Sequence, residues 1–218
     1  MMKKLITILL FLSIFGITQA QNFQFLYGYG NDKPVNFITS EIYKTQDHGA
    51  FYYFTDFKMD FNGYFEAYTE VSKYWNITKN GLAVTAQYNV GIYSDGTEAF
   101  RIDPVYLAGF QKSTEVSGWI LSMDILFRYD DYTKQSGAQT TFIFIKEWNN
   151  LMLSGFCDVW NSGLYDPNES PTVIMFEPQL FYSITDHIAV GIEGRLSNYV
   201  LLTPYKDYIM AGIKWNLE

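Results

Sequence analysis

The chain of 218 residues has one cysteine, Cys157, so no intrachain disulfide can staple it. That sets it apart from small extracellular disulfide scaffolds and suits an exported bacterial envelope protein. Histidine is nearly as scarce. His48 and His187 both fall in predicted short turns, which leaves no base for a serine nucleophile in a strand wall and no metal-ligand spacing. Gly28-Tyr29-Gly30 lacks the remainder of a phosphate-binding loop and reads as a turn. No catalytic residue, metal or cofactor is therefore expected, and the chain reads as something other than an enzyme. After residue 20 no run of roughly 18 apolar residues occurs, which excludes membrane-spanning helices. Long repeats, low-complexity tracts and linkers are also missing, so one domain is expected.

Residues 1–20 have the plan of a cleaved secretory signal: Lys3 and Lys4, an apolar stretch from Leu5 to Ile17, then Thr18-Gln19-Ala20 before Gln21. The two lysines leave with it, so the 15 Lys and Arg of the whole sequence fall to 13 against 23 Asp and Glu, a formal charge of −10. An acidic balance of that size argues against nucleic acid as a partner. What the chain has in abundance is aromatic: 18 Tyr, 18 Phe and 5 Trp. Such rings suit strands and membrane interfaces.

In GYFEAYTEVSKYW (63–75) one register reads Tyr64, Glu66, Tyr68, Glu70, Ser72, Tyr74 and the other Phe65, Ala67, Thr69, Val71, Lys73, Trp75. The period is two, so this is a strand with unlike faces. Turn signals such as GNDKP, SDGTEAF, DDYTKQSG, LYDPNESP and LTPYKD divide the chain into twelve such segments. They run roughly 22–30, 35–45, 50–60, 63–76, 82–93, 102–112, 118–130, 138–148, 151–161, 172–183, 188–200 and 206–217. These segments exceed the usual soluble strand and match what a tilted strand needs to cross a bilayer. An even number of strands puts both chain ends on one side, and the turns on that side are predicted to be the shorter set. Trp75, Trp119, Trp148 and Trp215 all fall near that end, as an aromatic girdle at a lipid head-group layer does. The expected fold is all-β: a twelve-stranded antiparallel transmembrane β-barrel over residues 21–218, in the outer membrane of a Gram-negative bacterium.

In that reading the apolar register faces lipid. Ile174, Phe176, Leu180 and Tyr182 oppose Glu177 and Gln179; Ile188, Val190, Ile192 and Leu196 oppose Glu193, Arg195 and Ser197; Ile209, Ala211, Ile213, Trp215 and Leu217 oppose Lys214 and Asn216. Cys157 reads as lipid-facing, and Pro178, mid-strand on the lipid register, should force a local bulge. The candidate lumen residues are Asp56, Glu66, Tyr68, Glu70, Asp124, Arg128, Phe156, Asp158, Trp160, Glu177, Glu193 and Arg195. Within this wall Tyr68, Phe156 and Trp160 are candidate stacking groups for a flat solute, and the carboxylates would accept hydrogen bonds from it. The bland alternative is a plugged structural barrel, in which the same charges pair from strand to strand and fill the bore. A soluble periplasmic lipid-binding barrel is the second alternative.

The pieces TEVSKYW (69–75), LSGFCDVW (153–160) and EPQLFY (177–182), with the twelve-strand layout over residues 21–218, resemble the Tsx-like outer-membrane proteins, which are nucleoside-specific channels, and their shorter relatives. The resemblance implies a monomeric barrel in outer-membrane lipid. Its narrow channel would pass small solutes such as nucleosides by way of aromatic and ionisable wall residues. The well-known members are longer with larger outer loops, whereas this chain is compact.

Overall fold

The period-two pattern persists through twelve antiparallel strands in a computed structural model, which describes residues 21–30, 33–60, 63–161, 172–198 and 207–217. The predicted leader, residues 1–20, and the predicted connections at 162–171 and 199–206 lie outside the described residues. The first six strands are β1 (Gln21–Gly30), β2 (Lys33–Gln46), β3 (Gly49–Met59), β4 (Phe65–Asn76), β5 (Leu82–Ser94) and β6 (Ala99–Val116). The second six are β7 (Trp119–Asp130), β8 (Gln135–Trp148), β9 (Leu151–Asn161), β10 (Thr172–Ser183), β11 (Ile188–Ser197) and β12 (Tyr208–Asn216). Each pairs with its neighbours in chain order, and β1 closes on β12. Closure pairs the ladder on both sides of every strand and leaves no edge, as a wall in hydrocarbon requires.

The wall is apolar outside. Ile209 is 65% exposed, Ile213 47% and Ile125 58%, and Phe25, Tyr27, Ile174, Val190 and Leu196 are likewise exposed on the outer face. The groups sealed within are polar to an unusual degree, with Gln24, Lys58, Glu66, Asp124, Glu177, Glu193, Arg195 and Lys214 all buried. A soluble barrel has the opposite distribution, since unpaired apolar surface on this scale is costly in water.

The end where β1 begins and β12 finishes is ringed by Trp75, Trp119, Trp148 and Trp215. Trp119 and Trp148 meet edge to face with ring centroids 5.8 Å apart. Lys146 Nζ sits 5.9 and 5.8 Å from the two rings and donates to the Ser117 carbonyl. Aromatic bodies with cations reaching past them are the side chains that settle where head groups meet water.

Three expectations need correction. Gly28-Tyr29-Gly30 is no turn: it is the last part of β1, paired with Met210, Ile209 and Tyr208 on β12. The connections on the side where β1 begins are the shorter set, as expected, but on the other side β5–β6 and β7–β8 are also joined by only a few residues. The predicted SDGTEAF and DDYTKQSG loops shrink because their aspartates close tight turns. Asp95 Oδ1 accepts from the backbone N of Thr97 at 2.8 Å and of Glu98 at 3.0 Å, and Asp130 Oδ1 does the same for Tyr132 and Thr133. These donors, the Glu98 amide first, hold the Asp95 carboxyl down at about 2.

Pro178, in turn, forces no bulge. The ladder from β9 to β10 runs through Pro178↔Gly155 without a shift, and on the β11 side the register is the same before and after the proline. What the proline costs is pairing on the β11 side, where the ladder skips Glu177 and Pro178, while Gly155 lets β9 lie close: a Cβ there would lie 2.4 Å from the Glu177 carbonyl. The bulge falls instead between Asn89 and Gly91 on β5, opposite the segment of β6 that contains Pro104.

Candidate functional site

Closing the sheet brings two arcs of wall face to face inside the barrel. Along β1 to β4, one cross-strand row runs Gln24, Thr39, Asp56, Tyr68. The neighbouring row runs Asn22, Glu41, Phe54, Glu70 and continues to Asn89 on β5. Facing them are Phe156 on β9, Met175, Glu177 and Gln179 on β10, and Glu193 and Arg195 on β11. Together with Tyr52, these side chains, Asn22 and Asn89 excepted, enclose a cavity of about 70 Å³. It holds a few waters or a small organic group, and it is narrow beside ligand pockets of roughly 300–1,000 Å³.

Polar contacts fix most of the wall. Thr39 Oγ1 donates to Asp56 at 2.6 Å. Tyr68 OH and Asn89 Nδ2 both donate to Glu70 at 2.9 Å, and Gln179 Nε2 donates to Glu193 at 2.6 Å. Glu41 accepts from Asn22 at 2.8 Å and from Tyr52 at 3.0 Å, with Lys214 Nζ at 3.9 Å. Arg195 donates to Glu177 through Nε and pairs with it through Nη2, and its guanidinium lies 4.9 Å from the centre of the Tyr208 ring. Phe54 bridges Tyr52 and Tyr68 at ring distances of 5.8 and 6.3 Å.

Of the predicted lumen residues, Asp56, Tyr68, Glu70, Phe156, Glu177, Glu193 and Arg195 line this cavity. The others face inward but are engaged elsewhere. Glu66 pairs with Lys58 at 2.8 Å and accepts from Tyr64. Asp124 accepts from Gln111 at 2.8 Å and Gln87 at 3.0 Å, in a network on β5 to β7. Asp158 accepts from Thr141. Trp160, the third candidate stacking group, is capped instead by Arg128, whose guanidinium sits 5.3 Å from its ring centre while donating to Gln139 at 2.7 Å. The candidate lumen residues did not include Gln24, Thr39, Glu41, Tyr52, Phe54, Met175 or Gln179 of this lining, although the alternation of Asn22 and Gln24 with Phe23 and Phe25 marks the inner face of β1.

An apolar cluster inside the bore was also missed. Leu26, Val35, Phe37, Phe181 and Met210 are buried together, with Tyr64 and Tyr208. Phe37 stacks on Tyr208 at 4.9 Å. Phe181 and Leu26 lie across Gly191 and Gly212, where an added Cβ would come within 2.6 Å of the Phe181 ring and 2.9 Å of Leu26 Cδ2. Glycine is what makes room for these large side chains on the inner face. His48 and His187 lie exposed in turns, away from the cavity, and no group of three or more metal-ligating side chains occurs among the described residues.

Closed topology, an apolar outer belt and an interior rich in buried polar groups define a transmembrane β-barrel of the outer-membrane type. Solved structures agree on the fold. The KdgM porin in complex with disordered oligogalacturonate superposes with a TM-score of 0.58 at 8% identity, over 90% of this chain and 99% of that one. The NanC porin gives 0.56 at 8% identity, over 89% and 97%. No curated protein matches by sequence. The chain belongs to the family described as Domain of unknown function (DUF5020), which matches residues 20–215.

Proposed function

We propose that this barrel is a channel of the bacterial outer membrane whose narrow polar and aromatic bore passes small solutes, nucleosides or similar flat heterocycles among them. The observation that carries this reading is the inner cavity, where Tyr52, Phe54, Tyr68 and Phe156 offer ring faces between carboxylates. Aromatic faces take up a flat ring, and carboxylates take its N–H and O–H donors. The Tsx-like resemblance points to the same solute class, and the fold shared with porins supports passage. The reading includes a monomer in outer-membrane lipid and an exported precursor whose residues 1–20 are removed.

Uptake by proteoliposomes tests it. Nucleosides should enter faster than sugars of similar size. Equal flux rejects the selectivity, and no conductance rejects the channel.

A second reading is favoured by a specific observation. Phe37 and Phe181, each 1% exposed, fill the bore beside the cavity with Val35 and Met210. A barrel closed by its own side chains would be structural, and charge-to-alanine changes would then lower stability without altering permeability.

A further inference from the structure

The charges on the cavity wall do not balance. Five carboxylates, those of Glu41, Asp56, Glu70, Glu177 and Glu193, face a single cation, Arg195. Arg195 is taken up by Glu177, and Lys214, just beyond the wall, by Glu41. Among the described residues no Lys or Arg comes within ion-pair distance of Asp56, Glu70 or Glu193, which are held by the neutral donors described above. Carboxylates withdrawn from water need a counter-charge or a proton, and the protein supplies fewer cations than this wall has carboxylates.

A second observation is independent of charge. Gln24, 1% exposed and part of the wall, leaves its Oε1 without a hydrogen-bond partner, and buried Asn89, which donates to Glu70, leaves its Oδ1 in the same condition. These amides stand in the two adjacent rows that contain Asp56 and Glu70. The unpartnered atoms of these two rows, Gln24 Oε1 on the wall and Asn89 Oδ1 behind Glu70, are both acceptors. A ligand that completes the wall must bring several N–H donors and a positive charge, and a primary ammonium brings three donors on one cationic centre. The rings of Tyr52, Phe54, Tyr68 and Phe156 also attract cations through their faces.

We infer that the cavity is a recognition site for small organic cations bearing a primary ammonium group, with Asp56 and Glu70 as charge partners and Gln24 as a neutral acceptor. The inference rests on the reading of the barrel as a channel for small solutes, and it adds organic ammonium ions to them, since nucleosides carry no ammonium group. Its corollary is exclusion of anions. The oligogalacturonate of the KdgM porin complex bears a carboxylate on every sugar and would meet carboxylates here.

The probe is a salt whose ions match in size, 2-hydroxyethylammonium glycolate, set as a concentration gradient across a planar bilayer containing the folded full-length mature barrel. The reversal potential should report a cation-over-anion permeability ratio on the order of tenfold or more, the range by which a charged cleft concentrates its counter-ion. In Asp56→Asn/Glu70→Gln the ratio should fall toward one. In Glu98→Gln, on the exposed turn at the barrel mouth, it should not change. A wild-type ratio at or below one, or an unchanged ratio in the double variant, overturns the assignment. Should the double variant fail to assemble, Glu70→Gln alone serves for the comparison.

Calorimetry on the detergent-folded barrel separates the two claims. If no current flows at all but 2-hydroxyethylammonium chloride binds and ethylene glycol does not, the channel reading falls and the cation site stands. If current flows and the ammonium neither binds nor is favoured over glycolate, the cation site falls and the channel stands.

Discussion

Replacing Lys58 by Met decides whether the bore beside the cavity is dry. Lys58 Nζ lies 2.8 Å from Glu66 Oε1, with side-chain exposures of 4% and 8%. It also sits 5.4 Å from the centre of the Phe37 ring, at the apolar cluster. Methionine keeps most of the lysine volume and removes the charge, so Glu66 retains Tyr64 as a donor but loses its counter-ion. Breaking a buried pair from one side costs about 3–5 kcal/mol, because the remaining charge is stranded. The same change at a water-exposed pair costs roughly 0.2–1 kcal/mol. Urea titration of the barrel folded in lipid vesicles should therefore show Lys58→Met destabilised by about 3–5 kcal/mol. Adding Glu66→Gln should recover most of that loss, since no charge is then left behind. A single-variant cost under about 1 kcal/mol would refute the reasoning. It would mean that water and ions reach Glu66 and that the bore is wet at this level.

Further outcomes follow from the same geometry. Ile209→Arg, on the outer face of β12 and further into the bilayer from Trp215 than Ile213 is, should cost roughly 2–4 kcal/mol in a bilayer; a neutral effect on folding into vesicles would argue against a lipid-facing wall. Phe181→Ala should lower stability by about 3–5 kcal/mol and raise single-channel conductance, because the ring fills the bore over Gly191; unchanged conductance would place the constriction elsewhere. Asp124→Ala strands the donors of Gln87 and Gln111 and should cost roughly 1–3 kcal/mol without changing ion selectivity, as read by reversal potential. Because the folded state lowers the Asp95 carboxyl to about 2 from an ordinary value of about 3.9, its turn is favoured above the ordinary value. That support is lost as pH falls through the folded value, and an NMR titration midpoint near 3.9 would contradict it.

How much of this was legible differs between fold and site. Each strand announces itself by its own alternation, and the inward face of Glu193, Arg195 or Lys214 follows from neighbours one residue away. Tryptophan at the ends of β4, β7, β8 and β12 supplied the one non-local clue, since only a membrane surface requires four distant segments to place the same residue at one level. The Pro178 bulge was misjudged because the register is held by the neighbouring strands: β9 pairs straight through the proline, and the ladder to β11 skips it and resumes unshifted. Trp160 looked free to stack on a solute because nothing in its segment reveals Arg128, which comes from β7.

The sequence by itself determined that the chain forms twelve two-faced strands and which face of each meets lipid, because alternation and interfacial aromatics are properties of contiguous residues. Only the tertiary structure decided which inward groups share the cavity, which are tied up in pairs, and that Phe37 and Phe181 share the interior with the charges. Those outcomes depend on the stagger between neighbouring strands and on which arcs of wall face each other, and closure of the sheet fixes both at once.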